Sequence, residues 1–405
     1  MRVLAIDEAL PYPTDSGKRI RTFELLRRLA RAHEITLVVP EERPSPAEAL
    51  AAVLATGIDV LTVPRAPLTK HGLRFAWDLL RNVPMRAPYM VMGHRVRAVR
   101  EAVAARVAAA RPDVIHVEWT PLVCNVPEGL GVPVVVSAHN VESDIWARYV
   151  LTERSAARRA YVRLQHRKVA RFEREALAAA DGVVAVSEAD GARIRAFSGQ
   201  AHVVVAPNAV DGERFAPDPA APVDPCELLF TGSLDWRPNQ DAVVWFLDEI
   251  LPRVRARVPQ ATLRVVGRAP PAWLVAKAAS VAGVTVNGSV PDVRPYVARA
   301  GVSVVPLRVG GGSRLKIPEA LAMERPVVST PVGAEGLHVE GGLFLAEGPE
   351  AFAEAVERAI REPAEAARRA AVGRALTLEH HEWGCVAPLL ERAWAEAVAR
   401  RTGAS

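Results

Sequence analysis

The chain has 405 residues, of which 50% are hydrophobic and 24% charged, and 51 basic against 46 acidic side chains leave a net charge of +5. This composition is typical of a globular protein of two domains, or at most three, and excludes disorder, collagen-like repeats and a coiled coil. No run approaches the roughly 18 unbroken apolar residues of a membrane span. Acidic residues at positions 7 and 8 argue against a signal peptide. Three widely spaced cysteines predict neither a disulfide framework nor a zinc site, so we expect a protein of the reducing cytoplasm.

Short, valine-rich segments alternate with helix-like segments along the whole chain. The valine-rich segments are mostly apolar on both faces, which is typical of strands in a parallel sheet covered by helices. Segments 19–32, 242–258 and 351–361 place apolar residues at helical spacing. The predicted strands are 3–6, 35–39, 60–63, 114–117, 132–137, 183–186 and 203–206, then 228–231, 263–266, 284–286, 302–305, 327–329 and 343–345. The alternation predicts an α/β fold with mostly parallel sheets.

A proline-rich segment at 215–225 separates the two sets of strands and predicts a linker. We therefore expect an N-terminal domain at 1–210 and a C-terminal domain at 226–375. A final helix at 376–405 could pack on either half, including back on the N-terminal domain. Two doubly wound domains suggest a ligand in the cleft between them, beyond the carboxyl ends of the strands. The loops that follow strands are therefore the places to look for functional residues.

The loop at 307–316 is the most informative of these. It contains Gly310, Gly311, Gly312, Ser313, Arg314 and Lys316. The glycines allow a ligand to approach the backbone, the helix start can hold an anion, and the two cations add positive charge. This arrangement predicts a diphosphate cradle. Glu319 follows in the first helical turn, where it either stabilises the helix start or accepts hydrogen bonds from the hydroxyls of a ribose.

Three further loops offer candidate ligand contacts. Gly17, next to Lys18, lies where a phosphate could meet a helix start, or else in an ordinary turn capped by Asp15 or Ser16. His139 follows the strand at 132–137 and either donates a hydrogen bond to a sugar hydroxyl or is a buried histidine bonded to backbone. Gly232 and Arg237 follow the first strand of the second half, where the arginine could reach a phosphate.

Several common motifs are absent from the sequence. No D-x-D triplet is present, so a metal–diphosphate site of that kind is not predicted, and we expect no metal. A P-loop, a G-x-S-x-G nucleophile elbow and a G-x-G-x-x-G turn after the first strand are also missing. These absences argue against a P-loop NTPase, an α/β-hydrolase and an NAD enzyme. The basic residues form no nucleic-acid recognition motif, so we expect no nucleic-acid partner.

The order and spacing of the motifs resemble those of family 4 glycosyltransferases, also called glycosyltransferase group 1, which have the GT-B fold. The resemblance covers nearly the whole chain. The similar segments are 181–187, 205–211 with Phe215, 264–267, 286–288 with Asp292, and 306–326. The family implies two doubly wound, Rossmann-like domains facing a central cleft. It also implies transfer of a sugar from a nucleotide-sugar donor, with retention and without a required metal or other cofactor.

The resemblance assigns Glu319 to the ribose, His139 to the transferred sugar and Gly17 to the neighbourhood of the diphosphate. Two departures stand out: Gly311 occupies the position of the first glutamate in the family's E-x7-E motif, and Arg237 lies in an altered context. We expect Arg314 and Lys316 to replace the missing positive charge and the 310–312 amides to replace part of the glutamate's role. The alternatives are a GT-B sugar-nucleotide epimerase or hydrolase, and a degenerate protein that only binds nucleotide.

Two segments concern the acceptor, for which we expect a glycan or a lipid-linked glycan in surface polysaccharide or glycolipid synthesis. Segment 154–174 is predicted to be a basic helix that either packs through its apolar residues or attaches to an anionic membrane. Segment 68–88, with Phe75, Trp77 and Leu80, either lines the acceptor side or is a packed surface helix. The expected location is the cytoplasm, with the inner face of the membrane as a candidate partner surface.

Overall fold

A computed structural model describes residues 1–67, 72–153, 155–309 and 315–403 of the chain. It divides into two compact units. The first comprises Met1–Ala206 together with Ala387–Ser405, and the second comprises Pro207–Val386. Each unit is built around one parallel β-sheet.

The sheet of the first unit has seven parallel strands in the order β3-β2-β1-β4-β5-β6-β7. Its strands are β1 (Arg2–Ile6), β2 (Glu34–Glu41), β3 (Asp59–Pro64), β4 (Val114–Val117), β5 (Val134–Ala138), β6 (Gly182–Ala185) and β7 (Val203–Val205). All seven predicted strands are confirmed. The strand order reverses between β1 and β4, so the loops that follow these two strands diverge and leave a crevice at the carboxyl edge.

The sheet of the second unit has six parallel strands in the order β10-β9-β8-β11-β12-β13. Its strands are β8 (Asp224–Thr231), β9 (Thr262–Val266), β10 (Val284–Asn287), β11 (Ala300–Val305), β12 (Val327–Ser329) and β13 (Phe344–Leu345). The six predictions for this half are confirmed as well. Here the order reverses between β8 and β11, which makes their carboxyl ends the second place where a ligand crevice is expected.

Helices connect the strands and cover the sheets. In chain order they are α1 (Gly17–Leu29), α2 (Ala47–Leu54), α3 (Gly72–Asn82), α4 (Tyr89–His94), α5 (Arg97–Ala110), α6 (Glu142–Thr152), α7 (Ala156–Ala179), α8 (Glu188–Ser198), α9 (Arg237–Trp245), α10 (Leu251–Arg257), α11 (Ala272–Ala279), α12 (Arg294–Arg299), α13 (Lys316–Ala322), α14 (Pro331–Ala334), α15 (Pro349–Arg361), α16 (Pro363–His380) and α17 (Trp383–Thr402). A 3₁₀ turn spans Thr120–Asn125, and a π turn at Phe246–Ile250 joins α9 to α10. No helix of the described residues is long and apolar enough to cross a bilayer.

The proline-rich segment belongs to the second unit. The change of unit lies between Ala206 and Pro207. Val210 and Phe215 are buried in the core of the second unit, and β8 already begins at Asp224. The chain therefore enters the second unit earlier than the proline pattern suggests, because apolar side chains ahead of the prolines are drawn into its core.

The end of the chain packs within the first unit. Trp394 of α17 is fully buried, and its ring meets His33 and His116 edge-on. Glu391 Oε1 lies 2.9 Å from His33 Nε2, and the Arg401 guanidinium lies 3.1 Å from Asp181. These contacts attach the last helix to segments more than 200 residues earlier in the chain.

Candidate active site

In the second unit, the loops after β8 and β11 carry the predicted cradle residues that the structure describes. Gly232 follows β8 directly, and its N–H donates to the Val266 carbonyl at 3.0 Å. Its φ of 148° lies in the region that favours glycine. A Cβ placed there would come within 2.9 Å of both Lys316 Nζ and Asn239 Nδ2. The absence of a side chain at Gly232 therefore keeps space open beside the lysine.

Lys316 begins α13 and points back toward β8. Its Nζ donates to Asn239 Oδ1 at 2.9 Å and lies 4.0 Å from the centre of the Phe230 ring. Asn239 is itself held, because its amide group donates to the Ser233 carbonyl at 2.8 Å. Burial lowers the pKa of Lys316 to about 7, against the raising effect of Glu319. The amine is therefore held in place, and among the described residues burial outweighs the negative charge near it, which is the condition in which an anionic ligand is favoured.

Glu319 lies one turn further along α13. Burial raises its pKa to about 7, although the charges of Lys316 and Arg214 act in the opposite direction. Its N–H donates to the Leu315 carbonyl, so the carboxylate is carried by regular helix. The structure thus places Gly232 and Lys316 beside Asn239, and Glu319 close enough for its charge to act on Lys316. Arg237 is exposed at the first residue of α9. Gly310, Gly311, Gly312, Ser313 and Arg314 lie outside the described residues.

In the first unit, Gly17 begins α1 as expected, but its neighbour Lys18 does not offer a free cation. Ser16 precedes the helix without a side-chain capping hydrogen bond. Lys18 Nζ contacts the Asp7 carboxylate and lies 2.9 Å from Glu8 Oε1. Although burial opposes the charge, these two carboxylates raise the pKa of Lys18. The positive charge suggested beside Gly17 is therefore already matched by two acidic residues, which the sequence pattern did not reveal.

His139 follows β5 and is buried, with 8% of its surface exposed. Its Nε2 lies 2.6 Å from the Glu118 carbonyl oxygen and 3.2 Å from Glu118 Oε2. Burial lowers the pKa of His139, while Glu118 raises it. Because Nε2 faces a carbonyl oxygen at hydrogen-bond distance, with a carboxylate oxygen nearby, Nε2 carries the proton. His139 is therefore a buried histidine bonded to backbone, as one of the two expectations had it. It also lies at the carboxyl edge of the sheet, and its contact with a ligand stays a prediction.

Each half of the chain matches a known protein family. Residues 16–214 match the family described as Glycosyltransferase Family 4, and residues 225–362 match the family described as Glycosyl transferases group 1. The chain belongs to the family 4 glycosyltransferases. Comparison with curated protein sequences gives no match.

Solved structures share the fold of this glycosyltransferase over nearly its whole length. Sucrose-phosphate synthase from Thermosynechococcus elongatus is 19% identical, with a TM-score of 0.72 over 99% of this chain and 100% of that chain. HepE from Anabaena, in complex with UDP and glucose, is 12% identical, with a TM-score of 0.68 over 98% and 99%. A UDP-forming α,α-trehalose-phosphate synthase from Burkholderia xenovorans is 12% identical, with a TM-score of 0.64 over 97% and 98%. The predicted GT-B fold is confirmed.

Sequence reasoning missed two residues of the glycosyltransferase that the structure places at these edges. Asn239 lies in the first turn of α9, which begins at Arg237, and it accepts the hydrogen bond from Lys316. Glu118 drew no attention, although it contacts His139. A polar residue directly after a buried strand was the available signal for Glu118. Among the described residues, no group of three or more histidine, cysteine or acidic side chains is arranged to hold a metal ion.

Proposed function

We propose that this glycosyltransferase takes its sugar from a nucleotide-sugar donor bound at the carboxyl ends of β8 and β11. The single observation that supports this is the position of Lys316. It is held by Asn239, faces the space left open by Gly232, and is followed one turn later by Glu319. In open α/β sheets this edge, where the strand order reverses, is the usual place for a nucleotide.

The proposed chemistry follows from the charge that develops on the leaving group. As the bond between sugar and diphosphate breaks, negative charge grows on the diphosphate, and a fixed cation directed at it stabilises the transition state. In our proposal Lys316 is that cation, supported by Arg314 and by the backbone of Gly310–Gly312. Glu319 accepts hydrogen bonds from the ribose. The proposed reaction proceeds with retention and requires no metal, as the family resemblance implies. Uridine nucleotides are the first candidates, because HepE was crystallised with UDP and the trehalose-phosphate synthase is described as UDP-forming.

A thermal-shift screen with UDP, GDP, ADP and their sugars tests this proposal. A ligand at about 100 times its Kd adds roughly 2.7 kcal/mol to the unfolding free energy. We expect one nucleotide class to raise the melting temperature of the native protein and of Lys277→Ala, but much less that of Lys316→Ala. Lys277 is a suitable control because its amine is paired with Asp248, a residue of the π turn that follows α9. A screen in which no nucleotide stabilises the protein would contradict the proposal.

A transfer assay with the nucleotide that binds then separates the alternatives. Glycosylated acceptor supports the proposal, donor hydrolysis or epimerisation without acceptor supports the alternative enzymes, and binding without turnover supports a degenerate protein. The configuration of the new glycosidic bond tests retention. Unchanged activity after chelation with EDTA tests metal independence.

We also propose a glycan or lipid-linked acceptor presented at an anionic membrane surface on the cytoplasmic side. Helix α3 exposes Leu73 and Trp77, with 91% and 65% of their surfaces accessible, while its Phe75 ring contacts the ring of Tyr89. Helix α7 packs next to it, because Lys168 Nζ donates to the Asn82 carbonyl at 2.6 Å. The basic residues of α7 differ in their exposure to solvent. Lys168 is buried, whereas Arg158, Arg163, Arg167 and Arg174 are exposed. Exposed apolar side chains beside exposed arginines form the kind of surface that binds an anionic interface.

Liposome sedimentation tests the membrane proposal. We expect binding to vesicles that contain an anionic lipid and little binding to neutral vesicles. Trp77→Ser should weaken binding, whereas Trp273→Ser, which removes a tryptophan 52% exposed on the second unit, should not. Equal binding by both variants, or none by the native protein, would rule out this surface.

A further inference from the structure

A chain of hydrogen bonds runs through the first unit from the last helix to His139. Its members are Trp394 of α17, His116 of β4, Glu118 directly after β4, and His139 directly after β5. The first three are fully buried, and His139 is nearly so. Only His139 was expected to have a functional role. The other three residues have buried polar groups, and the donor and acceptor roles in one hydrogen bond fix those in the next.

The direction of each hydrogen bond follows from the first. An indole N–H can only donate, and Trp394 Nε1 lies 3.2 Å from His116 Nδ1, so Nδ1 accepts. The His116 ring then carries its proton on Nε2, which lies 3.1 Å from Glu118 Oε1. Glu118 Oε1 is thus occupied, and Glu118 turns its other oxygen, Oε2, toward His139 Nε2 at 3.2 Å.

The electrostatics of the buried carboxylate agree with this arrangement. Burial alone would raise the pKa of Glu118, but its interactions with His116 and His139 hold that pKa well below its usual range. Arg21 is buried close enough for its charge to act on Glu118. Although burial lowers the pKa of its guanidinium to about 10, Arg21 remains a cation at neutral pH. Glu118 is therefore a charged acceptor, which makes stronger hydrogen bonds than a neutral one.

We propose that Glu118 is a positioning residue that keeps the proton of His139 on Nε2, and that Trp394, acting through His116, holds Glu118 in place. The Glu118 carbonyl accepts from His139 Nε2–H, and the charged Oε2 of the same residue lies 3.2 Å from that nitrogen, so Nδ1 retains its lone pair. His139 then accepts a hydrogen bond from a substrate hydroxyl at Nδ1. This inference rests on the proposed function for the identity of the substrate, and it reverses the sequence-based expectation that His139 donates.

Tautomer control has a mechanistic consequence. A lone pair on His139 orients a sugar or acceptor hydroxyl with its hydrogen toward the ring, which leaves that hydroxyl's own lone pairs directed away from the ring. The opposite tautomer would present an N–H and would turn the same hydroxyl around. Since outer hydrogen-bond partners commonly orient a functional histidine, loss of the relay should act on turnover more than on donor affinity.

Histidine-ring ¹⁵N NMR of the native protein tests the tautomer without any substrate. The chain contains 10 histidines, and a His139→Asn variant assigns the His139 signals. Between pH 7 and 8.5 we expect a protonated-type resonance for Nε2 and an unprotonated-type resonance for Nδ1. The charged groups acting on this ring are Glu118, Arg21 and Lys18. A proton on Nδ1 in this range would overturn the proposal, and would leave sugar transfer by the protein untouched.

Kinetics of matched tryptophan variants test the rest of the relay. Trp394→Phe removes the indole N–H but keeps an aromatic ring, and Trp383→Phe makes the same change at an equally buried position of α17. We expect Trp394→Phe to lower kcat about tenfold with donor KM within about twofold, and to mix the His139 tautomers. Trp383→Phe should leave both unchanged. Equal effects of the two variants would reduce Trp394 to packing. Glu118→Gln should shift the His139 signals furthest, and unchanged signals in that variant would refute the role of Glu118.

Discussion

Replacing Lys316 with alanine is the sharpest perturbation of the proposed donor site. Among the described residues, Lys316 Nζ makes one hydrogen bond, to Asn239, and contacts the ring of Phe230. Neither contact satisfies a charged amine as fully as a diphosphate would, which agrees with the lowering of the Lys316 pKa to about 7 by burial. The main effect should fall on the transition state, where the leaving diphosphate carries its full charge.

The expected size follows from comparable groups. Removing one preorganised donor from a developing anion lowers kcat by about 10²–10³-fold, or about 2.7–4 kcal/mol. Donor affinity should fall by about tenfold or less, because the ground-state diphosphate shares its charge with the solvent and the remaining loop.

Steady-state and single-turnover kinetics of Lys316→Ala measure both quantities, with donor Kd from calorimetry. Lys277→Ala is the matched control, since it removes a lysine of the same unit that pairs with Asp248. Unchanged turnover in Lys316→Ala would refute the catalytic role. Equal losses in kcat and in affinity would reduce Lys316 to a ground-state binding residue.

Three further predictions follow from the second unit. Because the free Lys316 amine loses its proton above about pH 7 and a bound diphosphate restores it, nucleotide-sugar affinity should fall roughly tenfold between pH 7 and 8.5, with proton uptake in calorimetry; a flat profile would contradict this. Gly232→Ala should cost about 1–2 kcal/mol in chemical denaturation and weaken nucleotide binding, because its Cβ would meet Lys316 and Asn239; Gly288→Ala, with open space around its Cβ, should not lose stability. Burial lowers the pKa of His381 to about 4. Its ring is protonated in the unfolded chain below about 6.5, so stability should fall as pH drops from 6.5 to 4 by roughly 3 kcal/mol more than in His381→Gln; parallel curves would refute this.

The fold could be predicted from the sequence because parallel strands buried on both faces have a simple local pattern. All four residues of β4 and all four residues of β6 are buried. The end of the first unit was harder to place. Phe215 looks like the start of a proline-rich linker, but it packs in the core of the second unit. Only three-dimensional packing distinguishes an apolar residue that begins a linker from one that packs in the core of the next unit.

The candidate site could be predicted only in part, for a similar reason. Gly232, Lys316 and Glu319 follow strands in recognisable loops, and the structure brings them together. The partners of these residues are distant in sequence. Asn239 lies 77 residues before Lys316, and Trp394 lies 278 residues after His116. For Lys18 the sequence indicated a cation available to a phosphate, but in the fold its amine contacts the carboxylates of Asp7 and Glu8. Pairing between distant polar groups depends on sheet order, which no local pattern encodes.

Hydrogen–deuterium exchange with and without the stabilising nucleotide tests the central claim most directly, because it locates the donor on the chain. We predict slower exchange in 231–239 and 315–322, the segments that contain Gly232, Asn239, Lys316 and Glu319, and loss of that protection in Lys316→Ala. Protection confined to other segments, with these two unchanged in the native protein, would contradict a donor site at the carboxyl ends of β8 and β11.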